Sequence, residues 1–305
     1  MYFCGWDGGG SKTRVCVTDE QGEVLVENTF GPLNLSGASR DTVKTTVHDC
    51  VDFMASQPGG LAACQGLVIG IAGISNRSAA ELTENTVRQC GYTGNLRLLG
   101  DHEIALAGAV KGPGAILIAG TGSMCFGKDA IGNPFRSGGY GYLIDDEGSG
   151  YAIGRDILIA VMRAFDGRST ATCLTEAVLR QLNISEPGDL ITWLYAPETG
   201  KMQVAALAPL LLPALEQNDT VARTIAQKAA RDLADLVIAA WKKAGMRTGE
   251  IALTGSIITY YDSIREQILA ILRQTLPQVY VGLPRHGAAK GAADLAREFY
   301  PIDFA

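Results

Sequence analysis

Near the N-terminus an apolar run, Tyr2–Asp7, ends on a carboxylate and is followed at once by Gly8-Gly9-Gly10-Ser11-Lys12-Thr13. Glycines without side chains let backbone N–H groups come close to an anion, and small hydroxyls and a lysine add further donors. A carboxylate beside such a loop can orient a metal ion. A second stretch of the same kind, Gly120-Thr121-Gly122-Ser123, follows the apolar run Ala115–Ala119. A third, Thr254-Gly255-Ser256, follows Glu250–Leu253. A single glycine run of this type is a weak signal; three in one chain are a much stronger one.

Asp101 ends the run Leu96–Gly100 and precedes a short helical pattern, Ile104–Val110. A carboxylate there can act as a general base toward a hydroxyl or can cap the helix, and the residues alone leave these two uses equal. The loop Gly138–Gly150 holds Gly138-Gly139-Tyr140-Gly141 and the acidic run Asp145-Asp146-Glu147. Carboxylates and close-approach glycines can hydrogen-bond a polar ligand, but the acids equally suit a solvated turn or a helix start, and Tyr140 equally suits a ligand face or the core.

The elements around these residues select the kind of loop. The P-loop pattern needs Lys directly after its last glycine; Ser11 stands between Gly10 and Lys12, and the pattern fails. The dinucleotide fingerprint opens a helix, whereas Thr13–Thr18 reads as a strand with Val15 and Val17 on one face. What remains is a β-hairpin whose tip meets phosphate, with a plain glycine hairpin as its alternative. The first part of the chain reads βββαβαβα: Tyr2–Asp7, Thr13–Thr18 and Glu23–Thr29 as strands, a helix over Arg40–Ser56, a strand over Gly66–Gly73, a helix over Ser78–Cys90, then Leu96–Gly100 and Ile104–Val110. After Gly114 a similar order begins with a second glycine hairpin. It continues through a helix over Ser149–Phe165, a largely helical stretch including Thr220–Ala244, a strand over Glu250–Leu253, a helix over Tyr260–Thr275, a strand over Gln278–Val281 and a last helix over Gly287–Phe299. This is an α/β chain of duplicated architecture.

Composition removes several function classes. With 26 Lys+Arg against 32 Asp+Glu and no basic cluster, phosphate-backbone binding to nucleic acid is disfavoured. No apolar run reaches the length of a membrane span, and the N-terminus lacks the basic and long apolar regions of a signal peptide. A cytoplasmic protein without membrane or nucleic-acid partners is expected. The seven cysteines are scattered without a C-x-x-C pair, which favours buried thiols over a metal site. Glycine is the unusual residue: there are 37, well above the ordinary share of about 7%.

Two hairpin tips and a strand-to-helix glycine turn, in this order, resemble the phosphate-1, phosphate-2 and adenosine elements of the actin/hexokinase/Hsp70 ATPase superfamily. Within it the chain resembles the N-acetylglucosamine kinase and BadF/BadG/BcrA/BcrD ATPase family. The blocks that carry the resemblance are Gly5-Trp6-Asp7-Gly8-Gly9-Gly10-Ser11-Lys12-Thr13, Gly70-Ile71-Ala72-Gly73, Gly100-Asp101, Ala119-Gly120-Thr121-Gly122-Ser123, and Gly138-Gly139-Tyr140-Gly141 with Asp145-Asp146-Glu147-Gly148-Ser149. The resemblance covers the whole chain. It implies two ribonuclease-H-like domains with ATP in a cleft between them, residues 1–113 plus 286–305 and residues 114–285, the second with a helical insertion and the last helix returning to the first.

The same resemblance implies an ATP-dependent amino-sugar kinase acting at the 6-hydroxyl of a hexosamine, N-acetylglucosamine or glucosamine. Asp101 would be the catalytic base and Asp7 would orient Mg²⁺. ATP would lie on Gly8, Gly9, Gly10, Ser11, Lys12, Thr13, Gly120, Thr121, Gly122, Gly255 and Ser256. The sugar would meet Asn34, Gly73, Asp101, Ser123, Met124, Gly139, Tyr140, Gly141 and Asp146. Family sugar kinases can carry Asn where this chain has Met124 and Ser where it has Ala72; both differences remove hydrogen-bonding groups near the sugar and leave the free amine open as substrate. A homodimer is the expected assembly. The alternatives are an ATPase that activates a partner enzyme, as in the 2-hydroxyacyl-CoA dehydratase activators of this lineage, and a non-catalytic sugar-binding regulator.

Overall fold

A computed structural model describes residues 1–35, 38–71 and 77–301. The chain divides into two compact units, Met1–Lys111 with the C-terminal segment from Pro284, and Gly112–Leu283.

The first unit is built on β1 (Tyr2–Gly8), β2 (Thr13–Thr18), β3 (Val24–Phe30), α1 (Arg40–Ala55), β4 (Cys64–Ile71), α2 (Arg77–Gln89), β5 (Asn95–Gly100) and α3 (Asp101–Ala109). Its five-stranded sheet has the order β3-β2-β1-β4-β5. β1 pairs antiparallel with β2 and parallel with β4, which in turn pairs parallel with β5. The second unit repeats the plan. It contains β6 (Gly114–Ala119), β7 (Ser123–Lys128), β8 (Pro134–Gly138), α4 (Gly150–Phe165), α5 (Leu174–Leu182), α6 (Leu190–Leu194), α7 (Lys201–Ala205), α8 (Leu211–Glu216), α9 (Thr220–Lys243), β9 (Gly249–Thr254), α10 (Ser256–Tyr260), α11 (Asp262–Thr275) and β10 (Val279–Gly282). Its sheet order, β10-β9-β6-β7-β8, is the first sheet's order read from the other edge. In both units three antiparallel strands are followed by two parallel ones. The final helix, α12 (Ala288–Phe299), belongs to the first unit.

β1 shows how the sequence sets its surroundings. Successive residues of a strand face opposite sides of the sheet. Tyr2, Cys4 and Trp6 join the core that α1 covers with Val43, Val47, Cys50, Val51 and Met54. Phe3 joins the other core, with Val68, Leu99, Ile104 of α3, and Ala292, Leu295 and Ala296 of α12. Burying each large apolar side chain contributes about 1.5–3 kcal/mol. On this second side Gly5 and then Asp7 follow Phe3. A Cβ on Gly5 would strike the backbone of Ala289 and Ala293 in α12. The Gly5→Ala variant is therefore expected to lose about 1–3 kcal/mol, as overpacked cores do, visible as a lower thermal unfolding midpoint.

Two expectations change. α3 begins at Asp101 itself rather than at Ile104, because Gly100 in extended geometry takes the N-cap position and Asp101 is the first helical residue. The helix expected over Tyr260–Thr275 is α11, beginning at Asp262, and a separate short helix, α10, precedes it, since the chain leaves helical geometry at Tyr261. The start of α9 matches its sequence signal: Asp219 accepts the N–H groups of Val221 and Ala222. Among the described residues no helix is long and apolar enough to cross a membrane.

Candidate active site

The parallel register of the first sheet brings its candidate residues to one edge. Asp7 pairs with Gly70, Gly8 with Ile71, and Ile71 with Gly100. The carboxyl ends of β1, β4 and β5 thus lie side by side, with Asp7, the first hairpin tip and Asp101 along them. This is where open α/β sheets offer room to ligands. Gly73 and Ala72, expected on the same edge beyond Ile71, fall outside the described residues.

The charge of Asp101 reaches Asp7. Burial, and then the charge of Asp101, push the Asp7 carboxyl above its ordinary value, against the pull of Arg14 and Lys12. Arg14 lies opposite Asp7 in the β1–β2 register, a relation that counting outward from the hairpin tip makes visible. Asp101 is the more accessible of the two acids, with 46% of its side chain exposed. Its Oδ1 accepts the backbone N–H of His102 at 2.9 Å, and the His102 ring nitrogen lies 3.4 Å from the same oxygen. Gly100 holds the cap position, so Asp101 is not the capping residue.

The first tip is closed by the Gly9 N–H donating to the Lys12 carbonyl at 3.0 Å. Gly10, Ser11 and Lys12 are exposed, and a Cβ on Gly10 would meet nothing within 4 Å. Thr13, expected with these residues, is fully buried, and its hydroxyl donates to the Gly31 carbonyl at 2.8 Å. It ties the hairpin to the loop carrying Asn34. The Leu33 N–H donates to the Gly9 carbonyl, so that loop lies against the tip and half-buried Asn34 is its neighbour.

In the second unit the tip Gly120-Thr121-Gly122 joins β6 to β7. The Gly120 N–H donates to the Gly122 carbonyl at 2.9 Å, and the Gly120 carbonyl accepts the Gly150 N–H at 2.7 Å, fastening the tip to the start of α4. Gly255 follows β9 beside the end of β6, at φ 103°; a Cβ there would strike the backbone of Ala119. The glycine is required by the chain's own close approach, at a conformation side chains rarely adopt. Ser256 is brought to the same place, its Oγ 4.0 Å from a Cβ built on Gly120.

The loop between β8 and α4 folds onto this tip. Asp146, at φ 66°, is 3% exposed. Its Oδ1 accepts the Ser123 N–H at 3.1 Å and its Oδ2 the Lys201 ammonium at 2.7 Å. The Ser123 hydroxyl donates to the Glu147 carbonyl at 2.7 Å. Ser123 and Asp146, both expected to meet sugar, thus have their side chains engaged in the unit's own bracing. A Cβ on Gly122 would lie 2.9 Å from both Asp146 carboxylate oxygens and from Lys201 Nζ, so this glycine makes room for an ion pair. Met124 lies against Gly139, whose added Cβ would be 3.1 Å from the Met124 Cβ. Tyr140 is not core: its ring is exposed and carries the Arg136 guanidinium 4.5 Å from its centroid. Its N–H donates to Asp145 Oδ2, which shapes the loop ahead of Gly141. Lys201 gives no local signal in the sequence; it stands 55 residues from Asp146 and meets it only through the fold.

The profile of one family, the BadF/BadG/BcrA/BcrD ATPase family, matches residues 4–296. The chain belongs to that family. Among curated relatives, the N-acetylmuramic acid/N-acetylglucosamine kinase of Clostridium acetobutylicum is 33% identical over 97% of this chain and 98% of its own length. The N-acetyl-D-glucosamine kinase of Dictyostelium discoideum is 28% identical over 96% of this chain and 97% of its own. A solved structure of a candidate N-acetylglucosamine kinase from Chromobacterium violaceum matches with a TM-score of 0.75 at 27% identity, covering 97% of this chain and 98% of that one. The duplicated sheet order places the BadF-family chain in the actin-like ATPase fold that these kinases share.

Proposed function

We propose that this ATP-dependent amino-sugar kinase phosphorylates the 6-hydroxyl of a hexosamine, N-acetylglucosamine or glucosamine, with Asp101 as general base. The observation that carries the proposal is the meeting of Asp101 with Asp7 and the first hairpin tip on one sheet edge. The Asp101 carboxylate accepts the proton of the sugar hydroxyl as that oxygen bonds to the terminal phosphorus; the bond to the bridging oxygen breaks and ADP leaves. Positioning and neutralisation of phosphate charge supply most of the remaining acceleration. Gly8–Lys12 and Gly120–Gly122 would hold phosphate oxygens through backbone N–H groups other than those of Gly9 and Gly120, which close the tips themselves. Gly255 and Ser256, beside the second tip, fit the nucleoside end.

A hard divalent cation suits the first edge: Asp7 is an oxygen donor whose ionised form is disfavoured by burial and by Asp101, and a cation relieves both. No group of three or more metal-ligating side chains occurs among the described residues, which fits Mg²⁺ arriving on ATP phosphates and retaining water rather than resting in a protein cage. When bound, Mg²⁺ would neutralise phosphate charge. On the sugar side we assign Asn34, Gly73, Met124, Gly139, Tyr140 and Gly141. Met124 offers no amide to the substrate and leaves recognition of an acetamide to other groups.

The proposal is tested by sugar-dependent ADP release with glucosamine, N-acetylglucosamine, N-acetylmannosamine, N-acetylmuramic acid and glucose, followed by NMR of the product. Turnover with a hexosamine and phosphorus coupling at the C6 position are expected. ADP release indifferent to every sugar, or phosphate at another carbon, overturns it.

A further inference from the structure

The ion pair beneath the second hairpin tip has a geometry that bracing alone does not require. Lys201 opens α7, and α7 is held in place by close contact with α4. A Cβ on Gly154 would strike the Val204 carbonyl, Val204 is buried, and Ala205 packs on Gly150, whose N–H fastens the Gly120 carbonyl. The helix that secures the tip therefore also positions Lys201. Its ammonium reaches Asp146 Oδ2 and lies 2.9 Å from a Cβ built on Gly122, directly at the tip. It also stands 5.8 Å from the centre of the Tyr142 ring, an attractive distance for a cation.

The two partners differ in access: Asp146 has 5% of its side chain exposed and Lys201 29%. An ammonium has three N–H donors, and Asp146 Oδ2 takes one of them. The tip that carries this cation is the one assigned to phosphate above. Lys201 is already at the place where the negative charge would arrive.

We propose that Lys201 contacts the terminal phosphate of the nucleotide, its ammonium bridging Asp146 Oδ2 and a phosphate oxygen at the Gly120–Gly122 tip. The proposal rests on the reading of that tip as a phosphate site. Asp146 then aims the ammonium and keeps it at the tip. Lys12 would serve the first hairpin and Lys201 the second.

The test compares binding of AMP-PNP and ADP by calorimetry. Loss of a charge-assisted contact to one phosphate weakens binding by about 10- to 100-fold. Lys201→Met is expected to lose affinity for AMP-PNP by that factor while ADP binding stays nearly unchanged, and Lys201→Arg is expected to restore much of it. Lys201→Met alone leaves a buried, unpaired Asp146 carboxylate, so the Asp146→Asn/Lys201→Met double variant is measured beside it, with thermal unfolding as the control for folding. The double variant is expected to show the same AMP-PNP-selective loss, and Asp146→Asn alone to retain most of the discrimination. Equal loss for both nucleotides, or lowered thermal stability with unchanged nucleotide affinity, overturns the proposal and leaves Lys201 as a brace. Thr121→Val and Gly120→Val, at the tip itself, separate the two levels: if both leave AMP-PNP and ADP binding unchanged, the assignment of the tip fails. If they weaken both nucleotides while the Lys201 variants do not discriminate, the tip stands and the role of Lys201 falls.

Discussion

Replacing Asp101 by Asn is expected to lower kcat for sugar phosphorylation by about 10²- to 10⁴-fold, the usual worth of a positioned base. The substitution keeps the shape of the side chain and an oxygen that can accept the His102 N–H. Gly100, not Asp101, occupies the cap position of α3, so the helix loses no side-chain cap. What Asn cannot do is accept the hydroxyl proton. The loss should fall on kcat in single-turnover measurements with saturating sugar, and the Kd for AMP-PNP should stay close to that of the parent. Retention of kcat would remove Asp101 from the reaction. A loss confined to KM would make it a sugar-binding group only.

Asp7→Asn should divide function from stability. Turnover is expected to fall on the order of 10²-fold, with the Mg²⁺ titration shifted to higher concentration, because one anionic oxygen at the proposed phosphate site is gone. Stability should move the other way. The Asp7 carboxyl is raised above its ordinary value by burial and by the charge of Asp101. A group raised in this way contributes stability that is fully present below its unfolded pKa of about 3.9 and is lost as pH rises through its folded value. At neutral pH the ionised carboxyl therefore costs stability, and the amide carries neither the charge nor the repulsion. The variant's unfolding midpoint is expected to exceed the parent's at pH 7, and the difference to shrink as the pH is lowered toward 4. A variant less stable than the parent at pH 7 would contradict this account of the site.

The sequence by itself determined the local pieces. The apolar run of β1, glycine runs between strands, and the Asp219 cap before a long helical pattern are all written in neighbouring residues, and the structure places the elements within a few residues of those signals. The duplication was also legible, since two glycine hairpins open two similar orders, and the two sheets share one strand order. The boundary of α3 was less so, because Gly100 rather than an acid takes its cap position.

The tertiary structure alone decided what those residues do to each other. The charge of Asp101 reaches Asp7 because β1, β4 and β5 run parallel in register, a relation no local window contains. The resemblance implies ligand contacts at Thr13, Ser123 and Asp146, and the fold gives their side chains partners at Gly31, Glu147 and Lys201, a relation only the folded chain contains. The glycines divide in the same way. Gly10 is open, whereas Gly5 and Gly255 are needed because backbone of the same chain lies where a Cβ would stand, and Gly122 lies against an ion pair. Turns and strand faces depend on residues close in sequence, so their signal is local. An ion pair across 55 residues depends on how helices and loops pack, and only the folded chain brings Lys201 to the second hairpin tip.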